Sequence, residues 1–363
     1  MPFALGIGLV ACAAPPPSVG ASAPRLASGD AGSADAGSVD AAPTALPARF
    51  ERCARCHEDA AAEHAASMHA SAFDDPLFQR EWGAALGDGE RSPRCVACHA
   101  PLARDASDPR AHEGVGCASC HVREGRIESV HASGRAPHET RVVAEDVLTT
   151  DRCAPCHEFA FPSRHDHPEA MQRTVSEWRS GGAIASCAGC HMPDRARGVR
   201  AGRSHDVLGG RDPALTAEAL DLRVTARLEG RATIVEARLV TRAGHAVPTG
   251  DLYRRVIFAV TGTGGARAEA ELSRLFALDE DGERREIADQ RVLPSAERVL
   301  RFVLPGRARE VRWALTWHAL PERAPLVEGI PRAMREQTWA RGRVRVEPPL
   351  SPRGPIRGPL HRE

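Results

Sequence analysis

The second half of the chain alternates. Leu220, Leu222, Val224, Ala226 and Leu228 are each followed by a polar or charged residue. Val235, Ala237 and Leu239 keep the same spacing, as do Val311, Trp313, Leu315 and Trp317. Val299 and Val303 flank Arg301 in the same way. A period of two sends successive side chains to opposite faces, so each run predicts a half-buried strand. Residues Val256–Val260 are apolar throughout and predict a central strand. Glu229-Gly230, Gly262–Gly265, Asp281-Gly282 and Pro305-Gly306 separate the runs with turn chemistry. The first half shows no such alternation. Its Ala-rich stretch Glu58–Ala70 predicts a helix. Pro168–Ser180 predicts another, with Met171, Val175 and Trp178 on one face and Gly181-Gly182 as the stop.

Roughly seven strands over about 130 residues predict an antiparallel β-sandwich of immunoglobulin-like type. We assign it to residues 211–346, ahead of an irregular tail at 347–363 rich in Pro, Arg and Gly. Residues 13–47 are Ala, Pro, Ser, Gly and Asp with almost no large apolar side chain, which predicts a flexible linker. Before it, Phe3–Ala14 is an apolar run too short to span a bilayer and matching the core of an export signal. It contains Leu9-Val10-Ala11-Cys12, which resembles the bacterial lipoprotein box. Residues 1–12 are therefore expected to be a lipoprotein signal, with Cys12 lipidated and the protein held at a membrane by that anchor. Ala13 after the cysteine implies outer-membrane sorting, although no basic segment precedes the apolar run.

Composition changes the picture of the first half. Net charge is +0, so nothing draws the chain to nucleic acid. Aromatic residues are only 4% of the chain, few for a packed core of this length. The cysteines supply the explanation. Cys53-Ala-Arg-Cys56-His57 recurs as Cys95/Cys98/His99, Cys117/Cys120/His121, Cys153/Cys156/His157 and Cys187/Cys190/His191. C-x-x-C-H is the attachment signature of haem c: two thiols reach the porphyrin vinyl groups, and the histidine supplies a proximal imidazole. Composition alone gives roughly 0.015 expected copies. Zinc or redox readings of a lone C-x-x-C do not account for a histidine after every second cysteine. The sequence thus predicts five covalently bound haems c in a domain at 48–210, where macrocycles replace the missing apolar mass. The expected fold class is α+β, a haem-rich and mostly helical or irregular cytochrome domain followed by the all-β sandwich. Haem attachment takes place outside the cytoplasm, so the protein is expected in the periplasm or at the outer membrane.

Each electron-transfer iron needs a second axial ligand, usually a neutral imidazole. Eleven of the 16 histidines lie outside the motifs, enough for every iron. Ser67-Met68-His69-Ala70, the second motif, Gly114-Val115-Gly116 before the third, and His131 after it follow one another in a telling order. Over about residues 50–160 this resembles the tetrahaem cytochrome that accepts electrons from hydroxylamine oxidoreductase. The resemblance implies that His69 serves the third haem and His131 the first. It also implies a second haem without a distal ligand. Here His112 stands ahead of the third motif, in a loop opened by Asp108-Pro109, and is expected to fill that position. Cys187–Pro193 resembles the C-x-x-C-H-M-P element of pentahaem nitrite reductases. Gly244-His245-Ala246-Val247-Pro248-Thr249-Gly250 resembles a G-H-x-x-P-T-G segment of larger multihaem cytochromes. His205 and His245 are assigned to the fourth and fifth haems without order. His64, His138, His165, His167, His318 and His361 are read as solvent-facing or supporting residues.

Two functions compete. One is an electron carrier with bis-histidine haems, working between redox protein partners of the bacterial envelope. The other is a reductase or oxidase of a small nitrogen or sulfur compound, which needs an open iron, here the one at His99. The chain contains no lysine, so a lysine-ligated catalytic haem is excluded. The single tyrosine, Tyr253, lies beyond the haem motifs, which argues against a tyrosine-bonded active haem. The carrier is the expected function.

Overall fold

The computed structural model describes residues 50–84, 93–131, 137–144, 150–161, 168–195, 202–207, 209–320 and 327–348. The signal, Cys12, the linker, His165, His167, His361 and all but the first residues of the tail lie outside the described residues. The chain divides into two compact units. The first runs up to Val175 and adds Ala185–Gly209 and Leu278–Arg285. The second comprises Ser176–Ile184, Gly210–Ala277 and Glu286 onward.

The first unit is built of short pieces. Helices Phe50–Ala54, Pro93–His99, Cys117–His121, Thr150–His157 and Cys187–His191 carry the motif cysteines except Cys56, which lies in the turn after the first. Between them lie small sheets. Strands β1 (Val122–Arg123), β2 (Arg126–Ser129) and β3 (Thr140–Val142) form one, and β4 (Glu158–Ala160) pairs with β5 (Ala170–Arg173). β6 (Asp194–Arg195) pairs with β7 (Gly202–Arg203). Both predicted helices are shorter than expected. The first covers Glu58–Ala65 and closes before His69. There Ser67 Oγ accepts the Ala70 N–H at 3.1 Å, and a serine that bonds nearby backbone diverts the chain from the helix ladder. Of Pro168–Ser180, only Thr174–Ser180 is helical. Its first part is β5, where a cross-strand partner outweighs helical periodicity.

The second unit is antiparallel. β8 (Leu220–Glu229), β9 (Ala232–Thr241) and β14 (Glu297–Pro305) form a sheet in the order β14-β9-β8. β10 (Arg255–Gly262), β11 (Arg267–Leu272), β15 (Glu310–His318) and β16 (Glu336–Arg345) form another in the order β11-β10-β15-β16. β12 (Arg274–Leu278) and β13 (Arg284–Asp289) make a separate hairpin. Val256, Phe258 and Val260 are fully buried on β10, which is central as expected. Phe258 stacks on Phe302 of the other sheet at 5.8 Å, so the two sheets share one core.

Two strand faces depart from expectation. On β14 the buried residues are Leu300, Phe302 and Leu304, while Val299 and Val303 are exposed. Both phases of this strand are apolar, so alternation alone left the choice between them open. His318 is buried as well as Trp317, because β16 pairs alongside and brings Glu336 to 4.0 Å from its Nδ1.

Candidate haem-binding centre

A helical turn makes the motif work. Residues three and four apart share a face, so both cysteines and the following histidine project to one side. At the first motif the Cys56 and His57 N–H groups both donate to Cys53 O, at 3.1 and 2.9 Å. At the fifth, Ser186 caps the helix by accepting the Gly189 N–H at 3.1 Å.

Thiols of different motifs touch. Cys53 is hydrogen-bonded to Cys117, Cys98 to Cys156, and Cys153 to Cys187. These bonds push Cys53, Cys98 and Cys187 below the ordinary thiol range and their partners above it. The first attachment helix thus meets the third, and the fourth meets both the second and the fifth.

The ten motif cysteines differ in burial. Cys95 is buried, while Cys53, Cys98, Cys117, Cys120, Cys153, Cys156 and Cys187 are half-buried. Cys190 departs from a buried attachment site: it is exposed, and so is Cys56. The reason at Cys190 lies in its short helix. Cys187 is the residue turned to the fourth motif, where it meets Cys153 and lies 3.6 Å from Thr150 Oγ1. One turn later Cys190 stands at the exposed end, beside the exposed Gly189. Burial therefore does not mark Cys190 as a cofactor residue; its place in the motif does.

The histidines give the sharpest test of fit. An iron about 2 Å from each Nε2 sets two imidazole centroids roughly 6 Å apart. Among the described residues, three histidine pairs have that spacing. His57 faces His138 at 6.5 Å, His69 faces His157 at 6.3 Å, and His121 faces His205 at 6.2 Å. Each pair joins a motif histidine to one from elsewhere in the chain.

In three of these six histidines, and in His99 and His245, the Nδ1 is engaged. A carbonyl oxygen only accepts, so a histidine nitrogen beside one carries the proton and leaves the opposite nitrogen for a metal. His205 Nδ1 donates to Arg203 O at 3.0 Å and His121 Nδ1 to Glu128 O at 3.1 Å. His99 Nδ1 donates to Ala72 O at 2.7 Å and His245 Nδ1 to Ala246 O at 2.9 Å. His138 Nδ1 lies 3.2 Å from Thr140 Oγ1. Burial, together with His157, His64, His191 and His99, pushes His69 down to about 4. It is therefore neutral in ordinary buffers, the form that binds iron. His69 is also fixed from behind. Val115 N–H donates to His69 O at 2.9 Å. A Cβ on Gly114, whose φ is +59°, would lie 2.4 Å from that oxygen. The Gly-Val-Gly before the third motif is thus a seat for the His69 backbone.

The remaining expected ligands lie elsewhere. His131 is exposed. His112 turns its Nδ1 to Asp74 Oδ1 at 2.8 Å, packs edge-on to Phe73 and keeps 67% of its side chain exposed. Against His99 stands Phe78, stacked at 3.7 Å and 11°, within a cluster with Phe73 and Trp82. His64, read from sequence as peripheral, is buried and spends its Nε2 on Val115 O at 2.9 Å. His245 belongs to the second unit. Its loop is pinned by the buried Glu177, which accepts from Ala246 N, Thr249 Oγ1 and Arg291 Nη2.

Sequence reasoning passed over His138. It stands seven residues beyond His131, and no periodicity separates the two. The signal that distinguishes them is Thr140, which begins β3 and fixes the imidazole beside it.

Short helices bearing the Cys-x-x-Cys-His cysteines, with a second imidazole about 6 Å from three of the motif histidines, are those of a multihaem c-type cytochrome, and covalent haem c is the cofactor this donor set takes. The comparisons agree. Residues 52–122 match the family described as cytochrome c554 and c-prime. The fold is that of a penta-heme cytochrome c552 from Thermochromatium tepidum, with a TM-score of 0.68 and 20% identity, over 81% of this chain and 97% of that one. The Fcho1 Mu homology domain of Danio rerio aligns only at a TM-score of 0.16 and 11% identity, over 38% of this chain and 50% of that one. No curated protein matches the chain. Among the described residues, no helix is long and apolar enough to cross a membrane.

Proposed function

We propose that the protein carries five haems c and moves electrons between redox partners in the bacterial envelope. The observation that carries this reading is the set of opposed histidines: His57 with His138, His121 with His205, and His157 with His69. In this assignment His138 takes the role expected of His131 on the first haem. His205 serves the third haem and His69 the fourth. His245 is retained as a ligand candidate, with its Nδ1 donating to Ala246 O. Cys190 is retained as the second attachment cysteine of the fifth haem, on its spacing from Cys187 and His191. Haem iron supplies the one-electron couple. The chain's part is to hold neutral imidazoles rigidly, so that little reorganises between oxidation states, and to keep the attachment helices close. Contacts between Cys53 and Cys117, Cys98 and Cys156, and Cys153 and Cys187 favour a continuous path. An export signal, lipidation of Cys12 and outer-membrane sorting complete the proposal, as does an immunoglobulin-like second unit supported by its two antiparallel sheets.

Denaturing mass spectrometry of matured protein tests the count, with five haem masses above the polypeptide expected. Fewer on fully matured protein would refute it.

A second reading has one observation in its favour. His112, the distal ligand expected of the second haem, turns its ring to Asp74 and Phe73 instead. Without it the second iron would keep an open position, which small-molecule chemistry needs. Carbon monoxide added to reduced protein separates the readings. No spectral change is expected of the carrier, and stoichiometric binding at one haem would favour the reductase.

A further inference from the structure

Glu128 is an odd residue to find completely buried. It sits on β2, and its two carboxylate oxygens are taken by two arginines, Arg141 on Oε1 and Arg152 on Oε2. Arg141 is its direct neighbour across the parallel β2-β3 ladder. Arg152 comes from the helix Thr150–His157 and immediately precedes Cys153 of the fourth motif. The backbone of the same Glu128 accepts the Nδ1–H of His121, the third motif's histidine, at 3.1 Å. β1 and β2 fold back directly after that motif, with Val122 opposite Ile127, so the carbonyl is presented by the strand that Glu128 anchors. A surface ion pair would do nothing of this kind. Here the glutamate side chain is 0% exposed and Arg152 13%, so their charges are poorly screened.

We infer that Glu128 is a positioning and tuning residue for the third haem, holding the carbonyl that orients His121 and setting, with Arg141 and Arg152, the local charge that biases that iron's potential. The inference rests on the proposed haem reading of the third motif. The charge argument has a definite sign. Glu128 with two arginines leaves one net positive charge. Replacing the carboxylate by an amide leaves two, which favours the reduced iron because reduction removes a positive charge there. It also slackens the strand whose carbonyl makes the His121 imidazole electron-rich. Both changes raise the potential. Removing Arg141 instead makes the cluster neutral and lowers it. Arg141 keeps 42% of its side chain exposed, so its loss is the milder perturbation of the fold.

The test is a redox titration of the holoprotein followed by electron paramagnetic resonance, with the third haem's signal identified as the one lost in His121→Gly. Glu128→Gln should raise that haem's reduction equilibrium constant about tenfold, which is about 59 mV for a one-electron couple. Arg141→Gln should shift it the other way, and Glu128→Asp should restore most of the wild-type value. A merely structural role would not give shifts of opposite sign. No shift in either charge-removing variant, or shifts of the same sign, would overturn the proposal. If Glu128→Gln does not accumulate, Arg141→Gln decides alone: a lowered potential supports the proposal and an unchanged one ends it. If His121→Gly removes no signal while five haem masses are present, the reading of the third motif itself is at fault, and the proposal falls with it.

Discussion

The two units of this chain are held together in different ways. In the second unit the largest completely buried side chains are aliphatic and aromatic: Phe258, Leu239, Leu272, Leu304, Leu315 and several valines. In the first, among the described residues, the largest completely buried side chain is a carboxylate, Glu128. Among the described residues one apolar cluster gathers around the second motif, from Phe73, Trp82, Cys95, Val96, Ala100 and Ala111. A compact unit with so little hydrophobic mass needs another source of burial, and the motif histidines and cysteines mark where porphyrins would supply it. One unit is stabilised by its side chains, and the other would be by its haems.

The strongest attack on that contrast is to withhold a cofactor. Cys117→Ala with Cys120→Ala should remove one haem mass and leave the first unit open to protease. The second unit should survive as a resistant piece reaching from Leu220 or earlier through β16. Limited proteolysis followed by mass spectrometry reads both outcomes. If the second unit is lost equally, the two do not depend on separate cores.

The converse attack falls on Phe302, buried in β14 and stacked on Phe258. Truncating an aromatic side chain in such a core costs about 3–5 kcal/mol. Phe302→Ala should destabilise the second unit by that amount, seen as a lower denaturation midpoint. The haem absorption spectrum at low denaturant should not change. A spectral change before unfolding would mean that the β core helps set the haem environment.

A third variant probes the polar anchor of the second unit. Glu177 is buried and its Oε1 is 2.6 Å from Arg291 Nη2, with Asp289 also on that guanidinium at 2.8 Å. Burial disfavours the Arg291 charge, and the two carboxylates more than reverse this, so its pKa is raised. Glu177→Gln weakens the bonds to the Gly244–Gly250 loop, since an amide oxygen accepts less strongly than a carboxylate, and leaves Arg291 with one carboxylate. Roughly 2–3 kcal/mol of destabilisation is expected. Hydrogen exchange should rise first at Ala246, whose N–H donates to Glu177 at 3.2 Å.

How far the sequence could be read follows the same division. Covalent chemistry is legible because it imposes fixed spacing, and the attachment helices stand where Cys-x-x-Cys-His stood. Spacing says nothing of burial, which is why Cys95 and Cys190 read alike and differ in the fold. Strands with one apolar phase are legible too: Val235, Ala237 and Leu239 are all completely buried. Histidine partners are harder. The His69 ring lies near that of His157 across 88 positions and that of His121 near His205 across 84, and no local pattern encodes which loop returns to which motif. The resemblance favours His131 over His138, whereas β3 places Thr140 beside His138.

The smallest effect belongs to a position where the sequence was ambiguous. β14 reads Val299, Leu300, Arg301, Phe302, Val303, Leu304, so the apolar residues fill both phases. The structure resolves this by pairing. β14 is an edge strand beside β9, and Phe302 stands opposite Val235, both on the core face. Val303, opposite Ile234, is turned outward and 61% exposed. Val303→Thr keeps the β-branched shape and the strand preference while replacing a methyl by a hydroxyl that water can satisfy. Its cost should stay within about 0.5 kcal/mol, as for surface positions generally. Denaturant unfolding of this variant beside Phe302→Ala measures the two phases of one strand. A loss at Val303 comparable to that at Phe302 would mean the outer face of β14 is covered in the mature protein.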